Sequence, residues 1–161
     1  MDKGRHGRRD RLVKEKRHDT YRSREKLPEP TVCTDCGAVF NKGRWQWLPH
    51  PDAAHGEVCP ACRRINDHYP AGTVQLSGAF FRAHREEILN LIHNVEKQEK
   101  NEHPMERIMD IERNGTDKTL VNTTGIHLAR RLGDKLFQAY EGELDYHYED
   151  GENLINVFWK R

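Results

Sequence analysis

Two Cys-x-x-Cys pairs, Cys33-Thr34-Asp35-Cys36 and Cys59-Pro60-Ala61-Cys62, hold every cysteine of this chain and are separated by 22 residues. Two intervening residues let a tight turn aim both thiolates of a pair at one point, and two such turns supply four. Four converging thiolates are the donor set of a tetrahedral Zn²⁺ site. The spacing therefore predicts one structural Zn²⁺ held by Cys33, Cys36, Cys59 and Cys62, with two β-hairpins clasping it. An oxidised dithiol or an iron site is the rival reading, and no other motif supports either. Four protein ligands close the coordination shell, so no position is left for a substrate or a reactive water. With four thiols available, His50, His55 and His68 read as surface histidines.

The surroundings of the pairs agree with a ribbon. Gly37 follows the first pair, where a knuckle needs positive φ, and Pro60 can preset the turn of the second. The stretch from Pro28 to Pro70 has too few aliphatic residues for a core of its own. Metal–thiolate binding, apparently worth ~10–16 kcal/mol in small finger peptides, can stand in for that core.

Charge is distributed unevenly. Residues 1–30 carry 11 Lys/Arg against 6 Asp/Glu, while the remaining 131 carry 16 against 20. A basic N-terminal arm on a mildly acidic body is a pattern of nucleic-acid contact. Residues 1–27 have only scattered apolar positions, too few to offset their ordering entropy, so they are expected to be disordered in isolation. Arg5, Arg8, Arg9, Arg11, Lys14, Lys16, Arg17, Arg22 and Arg24 are the candidates to settle against phosphates; a merely solubilising tail is the plainer alternative.

Within the ribbon, Lys42-Gly43-Arg44-Trp45-Gln46-Trp47 interleaves cations with two aromatics that share one face of a strand. The rings can stack on bases or pack over the metal knuckle, and packing suits so small a module better. Lys42, Arg44, Arg63 and Arg64 give the ribbon a basic edge. After Tyr69-Pro70 the composition changes. Thr73–Leu76 reads as a short strand. Phe81, Ile88, Leu91, Ile92 and Val95 follow helical spacing within a helix over 78–100. From residue 105 the period becomes two, with strands near 107–112 and 118–123, a helix over 126–140, and strands over 143–149 and 153–159 turning at Asp150-Gly151. The expected fold is α+β: a disordered basic arm (1–27), a four-cysteine zinc ribbon (28–70), and a domain (71–161) with one long helix and a ββαββ unit (105–161).

His127, Arg131 and Lys135, four residues apart, form a basic stripe on the helix over 126–140, with Arg130 beside it. Cations this early in a helix gain nothing from its dipole. His127, Arg130 and Arg131 are therefore candidates for phosphate contact, against the plainer reading of a solvated helix face.

Leu27-Pro28-Glu29-Pro30-Thr31-Val32-Cys33, Lys42 to Trp47, Cys59-Pro60-Ala61-Cys62-Arg63-Arg64 and Ile126-His127-Leu128-Ala129-Arg130-Arg131 resemble segments of an uncharacterised family of short bacterial zinc-ribbon proteins. The ribbon followed by Thr124-Gly125-Ile126-His127-Leu128-Ala129-Arg130-Arg131 is also distantly similar to the NMD-three family, which binds the large ribosomal subunit and acts in its late maturation or export. This chain is much shorter and has one pair of CxxC motifs where that family has more. The likeness implies a non-enzymatic RNA-binding protein associated with ribosomal RNA or a ribosomal subunit, in assembly or stress-related inactivity. A DNA-binding regulator is the second reading, although no recognition-helix motif is evident. A protein-interaction adaptor using the acidic strand Glu143–Glu149 is the third. Enzyme activity is not expected: there is no phosphate-binding Gly-Lys-Ser/Thr loop or nucleophile elbow. The histidines with nearby carboxylates, His84, His93 and His147, acquire no acid–base role from sequence proximity alone. No small-molecule substrate or membrane contact is expected. The charged N-terminus lacks a signal-peptide pattern, and metal-binding thiols favour a reducing compartment, so the expected location is cytoplasmic.

Overall fold

The computed structural model describes Tyr21 and residues 26–115, 117–149 and 153–161. Apart from Tyr21, Lys26 and Leu27, the expected arm lies outside the described residues, with all nine of its candidate cations, and so does the expected turn at Asp150-Gly151.

Among the described residues, two small sheets and four helices make a mixed α+β structure. The first sheet has the order β3-β2-β1-β4, from β1 (Thr31–Val32), β2 (Val39–Asn41), β3 (Arg44–Gln46) and β4 (His55–Gly56). Lys42 and Gly43 join β2 to β3 with φ of 52° and 78°, a two-residue turn whose positive φ values match the twist of the hairpin. Gly37 has φ of 81°, as a knuckle requires.

The second cysteine pair departs from the expected hairpin. Cys59 is the N-cap of helix α1 (Pro60–Asp67), and its sulfur accepts from the Cys62 amide at 3.4 Å. Pro60 occupies the first turn, where its missing N–H costs nothing. His68 closes the helix in the left-handed region with φ of 53°. One hairpin and one helix N-terminus, not two hairpins, therefore bring the sulfurs together.

The second sheet has the order β6-β7-β5-β9-β8. Its strands are β5 (Gly72–Ser77), β6 (Ile108–Asn114), β7 (Lys118–Thr123), β8 (Glu143–Glu149) and β9 (Leu154–Lys160). The expected four-stranded unit is incomplete, because β5 inserts between β7 and β9, antiparallel to one and parallel to the other. In this central position Val74 and Leu76 are fully buried. The expected single helix over 78–100 is also divided. Helix α2 (Ala79–Ala83) ends at His84, and helix α3 (Arg85–Glu102) starts beyond it. His84 has φ of −119° and ψ of 26°, outside helical geometry.

Helix α4 (Ile126–Tyr140) and α3 cover one face of this sheet. Ile88, Ile92, Leu128, Leu132 and Leu136 meet Val121, Ile155, Val157 and Trp159 in one core. Fully burying each such side chain contributes roughly 1.5–3 kcal/mol. The ribbon has a much smaller cluster, in which Ala38, Ala61 and the buried cysteines are flanked by Trp45, Val58 and Met105. Met105 comes from the larger unit, so even this cluster is shared. No described helix is long and apolar enough to cross a membrane.

Candidate metal centre and adjoining groove

The Sγ atoms of Cys33, Cys36, Cys59 and Cys62 all lie within 4.8 Å of one another. Four sulfurs about 2.3 Å from a central ion would stand ~3.8 Å apart in a tetrahedron. Cys36 and Cys59 are separated by 3.8 Å, and all four cysteines are free. The cluster can hold one metal ion. Only Cys36 is even partly exposed, which leaves the site closed on most sides.

Hydrogen-bond donors already face the sulfurs. The Cys59 amide donates to Cys33 Sγ at 3.2 Å. Burial alone would push the Cys33 thiol up, but N–H donors led by Cys59, with Cys36 and Asp35, outweigh it and bring it down to about 7. Burial pushes Cys62 up to about 11 despite a bond from Arg107.

Arg107 is the principal residue that sequence reading missed. It precedes β6, is 6% exposed, and its guanidinium meets three of the four sulfurs. Its Nε donates to the Pro104 carbonyl at 2.7 Å. No local motif marks it, since its partners are Cys36, Cys59 and Cys62, far away in sequence. Trp47, 38% exposed, lies beneath the guanidinium at 5.7 Å and donates its indole N–H to the Lys100 carbonyl at 2.6 Å. Trp45 instead packs on the cysteine cluster and edge-on to Phe40, with ring centres 5.5 Å apart.

A groove of about 1360 Å³ runs between the two units. Arg44 and Arg63 line it from the ribbon, His127 and Arg131 from α4, and Lys26 and Leu27 from the end of the arm. Its positive charges are partly answered. Arg63 pairs with Glu57 at 2.8 Å, and Arg131 with Glu99 at 2.6 Å.

The remaining basic candidates are not open to the groove. Arg64 lines the groove but is 3% exposed; it bonds the Tyr69 carbonyl at 3.2 Å and stacks over Tyr21 at 4.3 Å. This is a packed arginine rather than an open phosphate ligand. Lys42 is exposed in its turn, beyond the groove lining. Arg130 points toward β8, where it bonds the Tyr148 hydroxyl at 3.2 Å and lies over Tyr146. Neighbouring helical residues diverge by about 100°, so Arg130 and Arg131 cannot serve one face. The ring nitrogens of His50, His55 and His68 are not part of the sulfur cluster. His55 instead lies 3.9 Å from Glu57.

Glu106 was also missed. Its carboxylate accepts from the Leu128 amide at 3.0 Å, capping α4 from another segment. Burial raises the Glu106 carboxyl above the usual range, and the Leu128 bond and nearby His127 only partly oppose this.

Fold and site together define a class: a four-cysteine ribbon docked on an α+β body through a cysteine cluster that could hold one metal ion. Comparison with known proteins finds no family model, curated protein or solved structure that matches this chain.

Proposed function

We propose that the four cysteines hold one structural Zn²⁺ and that the chain is a non-enzymatic RNA-binding protein associated with ribosomal RNA or a ribosomal subunit. One observation carries this reading: Arg44 and Arg63 of the ribbon, His127 and Arg131 of α4, and the exit of the basic arm at Lys26 converge on one groove. Arg63 and Arg131 have half-exposed side chains in ion pairs. For the more open Arg63–Glu57 pair, worth ~0–1 kcal/mol, exchanging the carboxylate for a phosphate costs little. The four-thiolate donor set favours Zn²⁺ over harder ions that prefer oxygen. Reduced thiols persist in the cytoplasm, where this reading locates the protein. Assembly or a stress-related inactive state of the ribosome is the context suggested by the resemblance to the NMD-three family.

Co-sedimentation of the purified, metal-loaded chain with ribosomal subunits tests the reading. If ~6 phosphates are neutralised, affinity falls ~10³-fold between 50 and 200 mM salt. Removing residues 1–27 should weaken binding, and nuclease should release the protein. Failure to sediment at any salt concentration would refute the proposal. The adaptor reading has its own observation: β8 is an edge strand with exposed Glu143, Asp145 and His147. A partner retained after nuclease and high salt would favour it.

A further inference from the structure

One wall of the cysteine cluster is closed by a residue from the other structural unit. Arg107 stands 45 residues from Cys62 and 71 from Cys36 along the chain, yet it donates to them at 3.3 and 3.0 Å. A third contact reaches Cys59 at 3.7 Å. The backbone of Arg107 is fixed in the body with equal care. Its amide donates to Thr124 Oγ1 at 2.9 Å, and its carbonyl accepts from the Thr124 amide at 2.8 Å. Trp47 completes the seam by stacking under the guanidinium and bonding the end of α3.

A divalent ion with four thiolates carries a net negative charge, and a planar fork of N–H donors is well shaped to meet several sulfurs at once. Outer partners of this kind orient the ligands and tune the metal. We infer that Arg107 makes the metal centre the joint between ribbon and body, so that metal occupancy decides whether the two units stay docked. The bound ion keeps the sulfurs together and their charge in place. When the ion leaves, the guanidinium loses its anchor. A buried cation without a counter-charge is strongly unfavourable, so the seam opens. The two walls of the groove then separate, with Arg44 and Arg63 on one side and His127 and Arg131 on the other. The same device would couple metal loss, or chemical attack on the thiolates, to loss of whatever the groove holds.

This inference rests on the metal reading and is independent of RNA binding. The test begins with metal content of the full chain, followed by amide hydrogen exchange before and after chelation with EDTA. Chelation should speed exchange at the Arg107 and Thr124 amides at least tenfold, while Val74 and Val157 in the central strands stay protected. Arg107→Met, with metal bound, should loosen the same two amides and release metal to a chromogenic chelator about 10–100-fold faster. Arg107→Lys, which keeps the charge but loses the fork, should lie between. Wild-type protein without stoichiometric metal fails the metal reading and overturns the joint with it. Stoichiometric metal whose removal leaves Thr124 protected overturns the joint alone, as does Arg107→Met with wild-type release. Loss of Val74 protection on chelation also overturns it, since the ion would then support the body itself. If Arg107→Met does not fold, the wild-type chelation experiment still decides.

Discussion

Replacing Gly125 with alanine tests how α4 is capped. Gly125 is the N-cap, with φ of −135° and ψ of 147°, an extended conformation that alanine adopts without strain. The obstacle is Glu106. A methyl group at residue 125 would occupy the space of the Glu106 carboxylate, overlapping its carbon and both oxygens. The carboxylate must therefore leave the helix terminus and give up the 3.0 Å bond from the Leu128 amide. A hydrogen bond to a charged group contributes ~1.5–3 kcal/mol, and the favourable placement of an anion at a helix N-terminus adds ~0.3–1 kcal/mol. Against this stands relief of a burial penalty, since the Glu106 carboxyl is raised by desolvation. A net loss of ~1–2 kcal/mol follows from these opposing contributions.

The double-mutant cycle identifies the cause. In a Glu106→Ala background no carboxylate remains to be displaced, so Gly125→Ala should cost only the ~0.5–1 kcal/mol by which glycine exceeds alanine as an N-cap. Urea unfolding of the metal-loaded chain, followed by far-ultraviolet circular dichroism, supplies the four stabilities. A coupling of at least ~1 kcal/mol is expected for groups in direct contact. If Gly125→Ala costs the same in both backgrounds, the clash is not with Glu106 and the account of this cap is wrong.

Three further outcomes follow from the same geometry. Glu106→Gln should remove one component of stability that falls as pH rises. The native carboxyl is raised by burial, so its contribution is fully present below the unfolded value near 4.5 and fades as pH rises through the folded value; denaturant titrations of both proteins at pH 4 and 7 measure it, and a wild-type stability that rises relative to that of the Gln variant across that window contradicts it. Cys59→Ser should reduce bound metal from one equivalent to a substoichiometric amount and perturb the fluorescence of Trp45, which packs on the cluster; full metal content by elemental analysis would exclude Cys59 as a ligand. Arg131→Gln should weaken ribosome binding and lower the salt slope by ~0.7–0.9, whereas Arg130→Gln, directed at Tyr148, should leave both unchanged; equal effects in sedimentation assays would mean that the groove is not the contact surface.

What the sequence made legible divides along the range of the interactions. The CxxC pairs revealed the sulfur cluster because their geometry is local, and the edges of β7 and β8 were readable from alternation and turn residues. The helix at Pro60 was hidden behind the expectation of a second knuckle, although proline in the first turn after a capping cysteine was the available signal. The break at His84 carries no proline. Phe81 and Ile88 are both buried on either side of it, so the apolar rhythm passes through unbroken. The placement of β5 needed its register with β7 and β9, which periodicity does not encode. Arg107 and Glu106 were the least accessible, since each acts on partners more than 20 residues away, and isolated charged residues resemble any surface position until the chain is folded.

The adjacency of Glu106 and Arg107 joins these two observations. The first carboxylate fixes the start of α4, and with it His127 and Arg131; the next residue fixes the ribbon through the sulfurs, and with it Arg44 and Arg63. Opposite charges on consecutive residues thus set both walls of the groove from one short segment of backbone, itself held by Thr124. A ribbon with so small a core of its own would otherwise have little to fix its orientation. Shortening or lengthening the 103–107 segment should therefore disturb groove geometry more than an equal change in the β6–β7 loop, because the former links the cysteine cluster to the helix that lines the groove.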